Sequence, residues 1–160
     1  MKAQSLSSPG LKPKISNMKK HSILLIEDDE LDIISFQRSL KHFDSEYELY
    51  TAYNGREALA MLIQNDPAII PDVILLDLNM PKMNGIEFLK ALRADNTLSH
   101  VKVFIMTTST DSNDRAITDQ LGVSGYIIKP LNYNDNKKRV DSMEAFIQFH
   151  LRKILADEAD

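Results

Sequence analysis

Three short runs constrain the fold of this chain more than any other feature: residues 22–27 (SILLIE), 72–77 (DVILLD) and 101–107 (VKVFIMT). Each is almost continuously apolar and stops at a carboxylate or a hydroxyl. A strand that is apolar on both sides has to be covered on both, which points to a parallel sheet sandwiched between helices. The intervening segments supply the helices. Residues 30–43 place Ile33, Phe36, Leu40 and Phe43 at steps of three and four, one face of a helix.

The rest of the chain continues the alternation. Residues 47–52 alternate as a strand, and Asn54-Gly55 turns the chain into a helix over residues 56–64. A loop over 78–84 precedes a helix over 85–94, and residues 113–121 form another helix before a short strand over 125–128. A last helix over 140–155 carries Val140, Met143, Ile147, Leu151 and Ile154 as its apolar stripe, with Phe146 and Phe149 beside it as either sheet-packing or partner-facing groups. Five strands and five helices predict an α/β, doubly wound, five-stranded parallel sheet of order 2-1-3-4-5, flavodoxin-like. The ligand crevice of such a sheet lies outside the carboxyl ends of its strands.

Composition sets the outer bounds. The 160 residues, 43% of them hydrophobic and 26% charged, fit one globular domain over residues 21–155 and leave no room for a second of ordinary size. Residues 1–20 read as a basic, flexible tail, either a genuine extension or the product of an upstream start, because Met18-Lys19-Lys20 before a strand would itself make a native beginning. Residues 156–160 form an acidic end. The tail holds five lysines and no acid, so the overall charge of −4 conceals a folded part near −9, which argues against nucleic-acid binding. The absence of cysteine excludes disulfides, zinc–thiolate sites and a catalytic thiol. With no apolar run of membrane-spanning length and no signal peptide, the expected setting is cytoplasmic, without a membrane partner. His21, His42, His100 and His150 have no metal-ligand spacing and read as structural or solvated.

Chemistry concentrates at the strand ends. The first strand ends in Glu27-Asp28-Asp29, the third in Asp77, the fourth in Thr107-Thr108-Ser109 and the fifth in Lys129-Pro130. In a parallel sheet all four ends face one crevice. Like-charged carboxylates near 4 Å repel by on the order of 4 kcal/mol per pair at an effective dielectric of 20, so Asp28, Asp29 and Asp77 demand positive charge. Lys129 offers one unit and a hard divalent cation the rest, with Mg²⁺ suited to a site of few carboxylates and several waters. A carboxylate beside such an ion, an ammonium and a hydroxyl is equipped to accept a phosphoryl group.

The motifs ILLIEDD, DVILLDLNMPKMNG, VFIMTTS and YIIKP, in that order, resemble the receiver domain of bacterial two-component response regulators (CheY-like) over residues 21–155. DLNMPKMNG, the RADNTLSH stretch and TTS are most similar to stand-alone receivers that partner phytochrome-type histidine kinases. The resemblance implies that Asp77 is the phosphoacceptor, served by a sensor histidine kinase. Asp28, Asp29, Asp77 and the backbone carbonyl of Asn79 would hold Mg²⁺, with Mn²⁺ an acceptable substitute. Taken singly, an Asp-Asp after a strand reads as a helix N-cap, a role open to Asp29 as well. Thr107 and Lys129 would contact the phosphoryl group, and Tyr126 would change rotamer with Thr107. Asn79, Thr108 and Ser109 would tune access and dephosphorylation. Pro81 and Gly85 would shape the turn after Asp77, Gly85 by tolerating its backbone geometry, and Pro130 would follow Lys129 at a site of cis peptides.

The implied function is a phosphorylation-switched protein, not an enzyme acting on other molecules, that signals through helix four, strand five and helix five to a second copy or a downstream protein. A phosphorelay intermediate, handing its phosphoryl group to a histidine phosphotransfer protein, is the alternative. A Mg²⁺-dependent phosphohydrolase fits worse, because Asp77-Leu78-Asn79 lacks the second acid of the Asp-x-Asp pattern. A binding-only pseudo-receiver is disfavoured by the retention of Asp28, Asp29, Asp77, Thr107 and Lys129. The polar link over residues 131–139 is longer than many receivers carry.

Overall fold

The computed structural model describes residues 20–41, 47–64, 69–108, 111–129 and 151. Five strands, β1 (His21–Ile26), β2 (Tyr47–Ala52), β3 (Val73–Asp77), β4 (Lys102–Thr107) and β5 (Gly125–Ile128), alternate with α1 (Glu30–Lys41), α2 (Gly55–Ile63), α3 (Gly85–Ala94) and α4 (Ser112–Gln120). All neighbouring strands are parallel, in the order β2-β1-β3-β4-β5. This is the expected sheet. The fifth expected helix, its Phe146 and Phe149, the polar link, the N-terminal tail, Phe43, His42 and His150 lie outside the described residues, apart from Leu151.

Period-2 alternation along the strands divides the core in two. Ile23, Leu25, Val73, Leu75, Phe104, Met106 and Ile127 point to the side of α1, where they pack with Ile33, Phe36 and Leu151. Leu24, Ile26, Ile74, Leu76, Val103 and Ile105 point the other way, onto Ala58 and Leu62 of α2 and Phe88, Leu89 and Leu92 of α3. β3 is buried at every position, which its VILLD sequence requires.

Side-chain caps start α2, α3 and α4. The Asn54 side chain accepts from Glu57 N at 2.9 Å to begin α2. Asn84 and Glu87 form a reciprocal capping box on α3. Asp111 accepts from Asn113 N at 2.8 Å to begin α4. At the end of the sheet away from the crevice, Arg93 donates to the carbonyls of Leu121, Ser99, Val101 and Gly122 and ties the entries of β4 and β5 together. No helix among the described residues is long and apolar enough to cross a membrane.

Candidate functional site at the carboxyl edge of the sheet

The alternation that builds the core also aims the polar groups. Glu27 follows Ile23 and Leu25 and extends the ladder by one residue, its N–H donating to Ala52 O at 3.0 Å. Asp77 follows Val73 and Leu75, and Lys129 follows Ile127, so all three side chains emerge on the α1 side of the sheet. Thr107 follows Val103 and Ile105 on the opposite side, where it shares a cavity of about 50 Å³ with Leu78, Asp111, Asp114, Arg115, Tyr126 and Ile128. The acidic centre and the hydroxyl-aromatic pair thus lie on opposite faces of one sheet edge.

Carboxylate oxygens of Glu27, Asp28 and Asp77 approach within 4.8 Å of one another. Glu27 is fully buried and Asp77 is 5% exposed, whereas Asp28 faces solvent. Lys129 Nζ lies 2.6 Å from Glu27 Oε2, 2.9 Å from Asp32 Oδ2 and 3.7 Å from Asp77 Oδ2. Glu27 Oε1 accepts from Asp29 N at 3.1 Å, and Asp77 Oδ1 accepts from Asn79 N at 3.2 Å. Burial pushes the Glu27 carboxyl up to about 8, against the hydrogen bond from Lys129 and with the repulsion of Asp77. Burial also raises Asp77, opposed by the Lys129 charge. For Lys129, burial favours the neutral amine, but the hydrogen bonds to Glu27 and Asp32 outweigh it and keep the ammonium charged.

Asp29 is not part of this cluster. Its Oδ1 accepts from Leu31 N at 2.8 Å and Asp32 N at 3.4 Å, so it caps α1, and Glu27 stands where Asp29 was expected. The reason is register. Residue 27 is the last to continue the β1 ladder, while residue 29 already belongs to the turn into α1. No motif or spacing in the sequence marks Asp32, which α1 presents from its first turn to Lys129, or Thr118 and Asp119, which meet the Tyr126 hydroxyl.

The loop after Asp77 folds back on the strand. Gly85 N donates to Leu78 O at 3.0 Å, Met83 N to Pro81 O at 2.8 Å, and Gly55 N to Met83 O at 3.1 Å. The left-handed backbone in this loop is at Lys82, with φ 66°, and not at a glycine. Gly85 is required for space: a Cβ there would sit 2.5 Å from Asp77 O and 2.7 Å from Leu78 Cα. Both are backbone atoms that cannot rotate aside. Gly85→Ala is therefore expected to cost about 2 kcal/mol or more and to lower the midpoint of thermal unfolding, followed by circular dichroism, by roughly 5 °C.

Tyr126 is tied to α4. Its hydroxyl lies 2.6 Å from Thr118 Oγ1, donates to Asp119 Oδ1 at 2.7 Å and reaches Arg115 O at 3.3 Å, while the Arg115 guanidinium stands 4.6 Å from the ring centroid. The cavity between Tyr126 and Thr107 has room for about one water molecule and not for a phenol ring. Inward rotation of Tyr126 would need more room than this cavity holds. Thr108 is exposed at the start of the β4–α4 connection. Ser109 and Pro130 lie outside the described residues.

Three hard oxygen donors converging from two strand ends, one of them open to solvent, suit a hard divalent cation. Residues 23–141 match the response regulator receiver domain family. Response regulator Rcp1 of Synechocystis sp. is 36% identical over 129 residues, spanning 78% of this chain and 86% of that protein. The crystal structure of the phosphorylated cyanobacterial phytochrome response regulator RcpA superposes with a TM-score of 0.74 at 32% identity, over 84% of this chain and 96% of that one. The Mn²⁺-bound form of Rcp1 gives 0.72 at 31% identity, over 81% and 93% of the two chains. This sheet, this acidic edge and these relatives together make the chain a member of the response regulator receiver domain family of two-component signalling.

Proposed function

We propose that this receiver accepts a phosphoryl group on Asp77 from the phosphohistidine of a sensor histidine kinase and signals by phosphorylation-dependent association with another protein. The observation that carries the proposal is the convergence of Glu27, Asp28 and Asp77 with Lys129 at one strand edge. An Asp77 oxygen attacks phosphorus, the P–N bond to the kinase histidine breaks, and the histidine leaves as neutral imidazole after taking a proton. Glu27 and Asp28, with the backbone carbonyl of Asn79, would hold Mg²⁺ or Mn²⁺, which supplies positive charge to the phosphoryl oxygens. The Asn79 N–H holds one Asp77 oxygen in place. Lys129 follows the new charge as a mobile cation, and Thr107 offers its hydroxyl.

The likeness to RcpA, a cyanobacterial phytochrome response regulator, favours a kinase of the phytochrome type as the phosphoryl donor. The association surface would centre on α4 and β5, where Tyr126 is anchored and Ile128 is 59% exposed. New negative charge at Asp77 recruits Thr107, the β4–α4 connection shifts, and Tyr126 leaves its bonds to α4.

Intact-mass analysis after incubation with acetyl phosphate tests the acceptor directly. One added phosphoryl mass is expected with Mg²⁺, and none after chelation or in Asp77→Asn. No adduct, combined with no binding of beryllofluoride in 19F NMR, would remove Asp77 as the acceptor.

A further inference from the structure

Among the described residues, Asp32 is the one charged neighbour of Lys129 to which phosphoryl transfer, as proposed, assigns no task. It stands in the first turn of α1, and the Asp29 cap fixes that turn by accepting from the N–H groups of Leu31 and Asp32. From there Asp32 Oδ2 reaches Lys129 Nζ at 2.9 Å, and Glu27 Oε2 takes a second ammonium proton at 2.6 Å. Asp77 Oδ2, at 3.7 Å, is beyond hydrogen-bond length. The ammonium is therefore drawn to the α1 side and held off the acceptor. The Lys129 side chain is 9% exposed and that of Asp32 24%, so Asp32 is the more open of the two groups that hold the lysine, Glu27 being fully buried.

We propose that Asp32 is a positioning residue that holds Lys129 away from Asp77 in the resting protein and competes with a phosphoryl group for the ammonium, thereby limiting how much phosphorylated receiver accumulates. This rests on Asp77 being the acceptor. The sign follows from charge. A carboxylate at this position attracts a divalent cation and repels the anionic phosphoryl oxygens, so its removal shifts the two affinities in opposite directions. A misfolded or loosened site would weaken both.

The test uses the full chain with Asp32→Asn and Asp32→Glu. Two-dimensional NMR of 15N-labelled lysine ammonium groups is expected to show the Lys129 signal shifted in Asp32→Asn and returned toward its wild-type position in Asp32→Glu. With saturating Mg²⁺, Asp32→Asn is expected to bind beryllofluoride about three- to fivefold more tightly, the size of effect a partly exposed ion pair supports, and to lose its phosphoryl group more slowly by a similar factor. Its Mn²⁺ affinity, read by electron paramagnetic resonance, should fall about two- to threefold. Beryllofluoride affinity within twofold of wild type together with an unmoved Lys129 signal would overturn the assignment of Asp32 alone. A wild-type protein that binds no beryllofluoride would instead remove the acceptor reading, and the proposed competition with it, even if the Lys129 signal moved.

Discussion

Glu27→Gln is expected to weaken Mn²⁺ binding about a hundredfold, while Asp29→Ala leaves it within about twofold of wild type and costs about 1 kcal/mol of stability. The contrast follows from where the two carboxylates point. Glu27 is fully buried, shares the acidic cluster with Asp28 and Asp77, and approaches Lys129 at 2.6 Å. A charge removed at roughly 4 Å from a cation, at an effective dielectric of 20, is an effect of several kcal/mol before water refills the position, and a hundredfold corresponds to about 3 kcal/mol. Gln keeps the shape and can still accept from Lys129, so the fold should survive, and Asp32 continues to hold the ammonium. Asp29 is exposed, and its visible work is to accept the N–H groups that open α1. Electron paramagnetic resonance titration with Mn²⁺ and thermal unfolding separate the two effects. Equal loss of ion affinity in both variants would return Asp29 to the ion site.

This one-residue displacement shows where sequence patterning is reliable and where it stops. The apolar runs determine the strands to within a residue or so of their ends, because each run must be covered on both faces; β2, α3 and β5 fall where periodicity alone puts them. The convergence of Asp77, Thr107 and Lys129 at one edge follows from parallel topology and needs no side-chain detail. In Glu27-Asp28-Asp29, by contrast, three consecutive acids compete for two sites, and composition cannot rank them. Alternation can: counting by twos from Ile23 through Leu25 reaches Glu27 and places it beside Asp77, which is reached from Val73 through Leu75 in the same way. Asp32 differs, since its contact with Lys129 depends on the docking of α1 against a strand far away in the chain. Thr118 is likewise a fully buried hydroxyl within a polar helix, and only the position of Tyr126 gives it a partner across the helix–sheet interface. Gly85 was legible as a glycine of the turn, but the need it meets is close backbone approach and not a left-handed torsion.

The same crowding of carboxylates predicts an unusual dependence of stability on pH. In the presence of a chelator, stability is expected to fall as pH rises from about 4.5 to about 8, the interval between the ordinary Glu27 value and its raised value in the fold. Across that interval the folded protein binds a proton that the unfolded chain has released, so folding is favoured on the acid side and the advantage is lost once the buried carboxyl ionises. Asp77 is shifted in the same direction and reinforces the trend. Lys129 is raised too, but its contribution is lost only above its ordinary value of 10.5 and leaves the window untouched. An effect on the order of 3 kcal/mol between the two limits should be visible in urea-denaturation midpoints. Saturating Mg²⁺ should flatten the curve by replacing the proton, with its largest stabilisation at the alkaline end. Glu27→Gln, which has no proton to lose, should flatten it without added ion and so assign the trend to this carboxyl. A stability that instead rises with pH in chelator would mean that Lys129 alone keeps Glu27 and Asp77 ionised, and that the cluster enters the folded state without a bound proton.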